Sequence, residues 1–141
     1  MKNKKVYVVF IGTQRYAGFF KIWYEGVQKH LFADCEKTVL AFSDLIDSYQ
    51  EFDKPGVIRF KVPHLPWPFV TLSRFDFIKK ALEKLGDSND ATHLLFLDAD
   101  LIPVADRTFK DIFGDGSKKF VAVHHPGQAA DPNWNSFVKT G

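Results

Sequence analysis

The sequence predicts an α/β domain built on a mainly parallel sheet with helices on both faces. Strand-like apolar runs alternate with stretches of helical period along the whole chain. Most of those runs are continuous rather than alternating, as expected of strands covered on both sides. Long helices between strands also imply crossover connections, which make neighbouring strands parallel. In such sheets ligands collect at the carboxyl ends of the strands. Gly12, Asp98 and His125 each follow a predicted strand and would share that rim.

Val6–Ile11 is an apolar, β-branched and aromatic run closed by Gly12, and predicts the first strand. From Tyr16 to Phe32 the period becomes helical, with Phe19, Ile22, Trp23, Val27 and Leu31 as the apolar stripe. Thr38–Phe42 predicts a second buried strand, closed by Ser43 and Asp44, and Asp47–Pro55 predicts a polar loop. Val57–Val62 alternates, so it predicts a strand with one wet face. Pro63, Pro66 and Pro68 punctuate a loop that carries His64 and Trp67, with Trp67 read as a packing residue. Thr71 is a candidate helix cap, followed by Leu72, Phe75, Ile78, Leu82 and Leu85 at helical steps and a stop at Gly86. Thr92–Leu97 predicts a buried strand running into Asp98-Ala99-Asp100. A short helix near Asp106–Phe113, a turn at Gly114–Gly116 and a last strand at Phe120–Val123 complete the reading.

The 141 residues suit a single domain, residues 1–141. A net charge of +2 is too small and too dispersed for a nucleic-acid surface. No run is long enough to cross a bilayer, and no secretory signal follows Met1. The single cysteine, Cys35, excludes an internal disulfide and fits a reducing compartment. Phe supplies 15 residues, most simply as core.

Asp98 and Asp100 carry the most chemistry. In an extended segment they would point the same way, and two such carboxylates repel unless a cation joins them. Hard oxygen ligands suit Mn²⁺ or Mg²⁺, which keep open positions for phosphate oxygens. Ala99 between them is small and would leave room for a ligand. An apolar strand ending in Asp-x-Asp also occurs in haloacid-dehalogenase-like phosphatases, where the first Asp is a nucleophile. There the motif opens the domain, whereas only 41 residues follow Asp100. A metal-dependent nucleotide-sugar transferase is therefore the leading reading. The phosphatase and a non-catalytic UDP- or sugar-binding remnant are the alternatives.

Four ordered features resemble glycosyltransferase family 6, which includes the histo-blood group A and B transferases and the α-1,3-galactosyltransferases. They are Val8–Tyr16 with the aromatic helix and Lys29-His30, Trp67–Ile78, Phe96–Asp100, and His125-Pro126-Gly127. The resemblance implies a GT-A fold and a UDP-galactose or UDP-N-acetylgalactosamine donor. It implies hexosyl transfer to a glycan hydroxyl with retention, α-1,3 linkage included. Ile11, Thr13 and Tyr16 would hold uracil and ribose, Val70 would pack near the uridine, and Arg74 would help bind the donor. Asp98 and Asp100 would bind Mn²⁺ across the diphosphate, and His125 would face the acceptor. Some bacterial members carry Asn at both acids and are regarded as metal-independent, so this chain resembles the metal-using branch. The family's catalytic domain continues past His-Pro-Gly, and its catalytic Glu lies there, so no catalytic residue is assigned. Activity of these residues alone is left open. The resemblance and the lack of an anchor give the expectation of a cytoplasmic, bacterial or phage-encoded protein. An uncovered apolar patch gives the expectation of self-association.

Arg74 also stands out on physical grounds. A cation in the first turn of a helix opposes the helix dipole, and a bound anion there would reverse the sign. Its planar fork fits phosphate or carboxylate.

Overall fold

The computed structural model describes residues 4–118 and 121. Among these residues four parallel strands form one sheet in the order β3-β2-β1-β4: β1 Lys5–Ile11, β2 Glu36–Ser43, β3 Val57–Lys61 and β4 His93–Phe96. The helices are α1 Phe20–His30, α2 Phe69–Leu72, α3 Arg74–Leu85 and α4 Phe109–Phe113, with a 3-10 turn at Gln14–Phe19 leading into α1. The parallel α/β class is as expected. Among the described residues no helix is long and apolar enough to cross a membrane. The last predicted strand, Phe120–Val123, and His125 lie outside the described residues, apart from Val121.

β1 has a partner on each side, Val8 facing Val39 of β2 and Leu95 of β4. Its side chains alternate between two cores. Val6, Val8 and Phe10 join Phe20, Trp23 and Val27 of α1, together with Phe52 and Phe109. Tyr7 and Val9 join Leu40, Phe42, and Ile78 and Ala81 of α3 on the other face. This double burial explains why β1 reads as an unbroken apolar run. The first core is mainly aromatic: Phe10 meets Phe20 at 5.0 Å and Trp23 at 5.1 Å between ring centroids, both edge-on.

The helix stripes differ in detail from the predicted ones. The buried face of α1 is Phe20, Trp23, Gly26 and Val27, while Ile22 is 52% exposed and Phe19 lies in the 3-10 turn. Trp23, Val27 and Leu31 of the predicted stripe are buried as expected, so the difference is confined to the start of the helix. α3 buries Ile78 and Ala81, but Leu72 is 71% and Phe75 67% exposed. Thr71 is not a cap: it lies inside α2, and the break between α2 and α3 falls at Ser73, with no side-chain cap. Gly86 does end α3, at φ +53°. α4 is shorter than expected and begins at a Thr108 capping box closed by Asp111.

Charged groups tie the periphery. The Lys37 ammonium donates to the carbonyls of Val27, Gln28 and Leu31, satisfying the C-terminal end of α1. Burial lowers its pKa. Cys35 is half-buried, and burial, then the neighbouring Asp34, pushes its thiol pKa up.

Candidate functional site

The strand order locates the site. The chain leaves β1 over one face through α1 to reach β2, and leaves β3 over the other face through α3 to reach β4. β1 and β4 are neighbours, and the segments that follow them line a crevice at their carboxyl ends. A cleft of about 740 Å³ lies there, within the size range of small-molecule sites. Its lining comes from three segments: Ile11–Tyr16 after β1, His64–Trp67 with Val70, Thr71 and Arg74 after β3, and Phe96 with Asp98–Asp100 after β4.

The first wall is a tight turn that needs a glycine. A Cβ on Gly12 would stand 2.6 Å from Phe10 Cζ and 2.9 Å from the Tyr16 carbonyl oxygen. Thr13 is buried, and its Oγ1 shares a 2.8 Å hydrogen bond with His64 Nδ1, joining the first wall to the second. Gln14 adopts φ +52°, a left-handed conformation that is uncommon for residues with a Cβ. Its main-chain N–H donates to Asp44 Oδ1 at 3.0 Å, and its side-chain amide donates to Asp44 Oδ2. The exposed Tyr16 ring carries the Arg15 guanidinium 5.3 Å from its centroid.

The second wall carries Trp67, which is 81% exposed. The expectation that it packs in the interior is therefore corrected: it sits in a proline-rich loop at the cleft edge. Val70 is half-buried in the short helix α2. Arg74 opens α3 as expected, but α2 runs directly into it, and Ser73 N–H already donates to Phe69 O. No free helix end faces a ligand there, so the dipole argument does not apply. The residue is held otherwise: Nε donates to Thr71 O at 3.0 Å and the guanidinium lies 4.6 Å from the Phe96 ring centroid. This leaves the far side of its fork for a ligand.

The third wall also differs from the prediction in its backbone. Asp98-Ala99-Asp100 is not extended; Leu101 N–H donates to Asp98 O at 3.0 Å, making a turn. Ala99 does not simply make room for a ligand. It is 7% exposed and packs into the first core. Its burial anchors the turn and leaves the two flanking aspartates exposed at the cleft. The ion pairs among the described residues join Lys5 to Glu36 and Asp90, His30 to Asp106, and Lys61 to Asp47. Asp98, Asp100, Arg15 and Arg74 take part in none of them. Their formal charges cancel, two positive against two negative. No group of three or more His, Cys, Asp or Glu residues that could hold a metal occurs among the described residues. A cation here would have two carboxylates from the protein and take its other ligands from water or substrate.

Ile11, Thr13, Tyr16, Val70, Arg74, Asp98 and Asp100 thus line one cleft. His125 lies outside the described residues. Sequence reasoning did not single out Arg15 or His64 for this site, nor Asp44 behind it, and it took in Phe96 only as the start of the Phe96–Asp100 motif. Only the prolines flanking His64 hinted at a shaped loop. No protein-family model matches the chain, and no curated protein does.

Proposed function

We propose that the cleft binds a nucleoside-diphosphate sugar, UDP-galactose or UDP-N-acetylgalactosamine, together with Mn²⁺ or Mg²⁺. The protein would then transfer the hexose to a carbohydrate hydroxyl with retention. The GT-A assignment within the α/β class, the likeness to glycosyltransferase family 6 and the acceptor role of His125 belong to the same proposal. One observation carries it: two carboxylates outside the ion pairs among the described residues, an arginine that spends its Nε on Thr71 O, and an exposed aromatic wall line one crevice of about 740 Å³.

The charge balance supports a metal. Without one the cleft lining is formally neutral and offers little to a diphosphate. A divalent cation on Asp98 and Asp100 would leave an excess of two positive charges facing it. When bound, the cation supplies Lewis-acid stabilisation of the charge that develops on the departing diphosphate. Arg74 would bind and orient that diphosphate through the donors it does not spend on Thr71. Tyr16, Ile11 and Val70 would enclose the nucleoside, and Thr13, tied to His64, would keep the two walls in register.

Incubation with each UDP-sugar and Mn²⁺ should release UDP, and p-nitrophenyl phosphate should release no phosphate. Phosphate release from the aryl ester alone would replace this reading with a phosphatase. UDP binding without donor turnover would leave a binding protein. Isothermal titration supplies the site test. Asp98→Asn and Asp100→Asn should each abolish Mn²⁺-dependent UDP binding, and unchanged affinity in both would remove the metal role.

A further inference from the structure

We infer that Asp44 is a positioning residue of the cleft. Its carboxylate holds Gln14 in a left-handed backbone conformation and so sets where Arg15 and Tyr16 stand. The inference rests on the nucleoside-diphosphate reading for its binding test, though not for its geometry. Asp44 follows β2, the strand beside β1, and does not line the cleft. Both of its oxygens are used by one residue, Oδ1 by the Gln14 main-chain N–H and Oδ2 by the Gln14 side-chain amide. Gln14 is the point where the chain turns off β1, and φ +52° is a conformation that a side-chain-bearing residue leaves unless held. The next two residues are the rim cation and the rim aromatic, Arg15 over Tyr16. A second tie fixes the far side of the turn, where Tyr16 N–H donates to Thr13 O at 3.1 Å. Thr13 is held in turn by His64. Gln14 is thus the left-handed residue of this wall, and its main-chain N–H and side-chain amide are both held by one side chain from the segment after β2.

A charge-assisted pair of this kind is stronger than neutral hydrogen bonds. Removing it frees Gln14 to return to φ < 0, which carries Arg15 and Tyr16 away from the cleft. A glycine at position 14 reaches φ > 0 without a steric cost and needs no clamp. This gives a test that separates positioning from direct contact. Asp44→Ala should raise the dissociation constant for UDP with Mn²⁺ about tenfold, as the competent fraction falls by that factor. The double variant Asp44→Ala/Gln14→Gly should recover to within about threefold of the wild type, because glycine restores access to the required conformation. Gln14→Gly alone, a change at a lining residue, is the reference for the double variant: adding Asp44→Ala to it should weaken binding far less than adding Asp44→Ala to the wild type. A double variant as weak as Asp44→Ala, or an Asp44→Ala protein that binds like the wild type, would overturn the assignment.

Should the wild type bind no UDP, the nucleotide reading fails by itself and the clamp is decided by nuclear magnetic resonance. In Asp44→Ala the Gln14 amide should lose its exchange protection, and its HN–Hα coupling should move away from the left-handed value. Both unchanged would refute the clamp.

Discussion

Replacing Gly12 by alanine tests whether the turn that forms the cleft wall is as closely fitted as its geometry implies. The new methyl would have Phe10 Cζ at 2.6 Å, Phe10 Cε1 at 2.7 Å and Tyr16 O at 2.9 Å. Neither neighbour can withdraw freely. Phe10 is fully buried and wedged against Phe20, Trp23 and Phe52. Tyr16 lies in a backbone turn tied to Thr13. Overpacking of this kind costs about 1–3 kcal/mol. The loss of glycine's freedom in the unfolded chain opposes it by about 0.4–1 kcal/mol. The steric term wins, and the net destabilisation is about 1–2 kcal/mol. At roughly 3 °C per kcal/mol for a chain of this length, Tm should fall by about 3–6 °C. Gly18 is the internal control, since a Cβ there meets nothing within 4 Å and its alanine variant should melt at or slightly above the wild type. Thermal melts followed by circular dichroism decide the matter. A Gly12→Ala protein as stable as the Gly18→Ala control would show that the turn yields, and the account of the first wall would be wrong.

Arg74→Lys keeps the charge but loses the Nε bond to Thr71 O and the flat contact with Phe96. Titration calorimetry should show UDP affinity in the presence of Mn²⁺ falling about tenfold, roughly the worth of one charged hydrogen bond, while Tm stays nearly constant. A drop in Tm with affinity intact would make the residue structural. At the far end of the sheet, the hydrogen bond between Lys5 and Asp90 lowers the Asp90 pKa and raises that of Lys5. A depressed carboxylate adds stability above its unfolded pKa and loses it as pH falls through its folded value. A raised lysine adds stability below its ordinary pKa and loses it as pH rises through its folded value. Urea melts should therefore show wild type and Asp90→Asn differing most near neutrality and converging below about pH 4. A gap that stays constant on acidification would contradict the pairing.

The parts of the fold that were legible are those set by local pattern. β1 and β2 are buried on both faces, so their apolar runs are continuous, and the helix at Gly86 ends where a left-handed residue is needed. The errors arise where distant contacts override the pattern. Phe19 and Ile22 fit the helical stripe of α1, but Phe19 belongs to the preceding 3-10 turn and Phe20 is buried in its place, while Trp23, Val27 and Leu31 follow the pattern. Asp98 and Asp100 were found because acids after an apolar run are chemically conspicuous. The turn between them was not, because it depends on where Ala99 can be buried. Asp44 carried no local signal and His64 only that of its flanking prolines, since their meaning comes from Thr13 and Gln14 in the segment after β1.

Gly26 of α1 lies hard against the chain that leaves the aspartate turn. A Cβ there would be 3.0 Å from Pro103 O, 3.1 Å from Pro103 Cδ and 3.2 Å from Ile102 Cγ2. The helix that carries Gly26 covers the face of the sheet opposite α3. Two stretches remote in the chain are thus coupled sterically: a larger side chain at position 26 requires Ile102 and Pro103 to give way. A lesion at position 26 would reach the acids by mechanical transmission, without altering any group that a ligand touches.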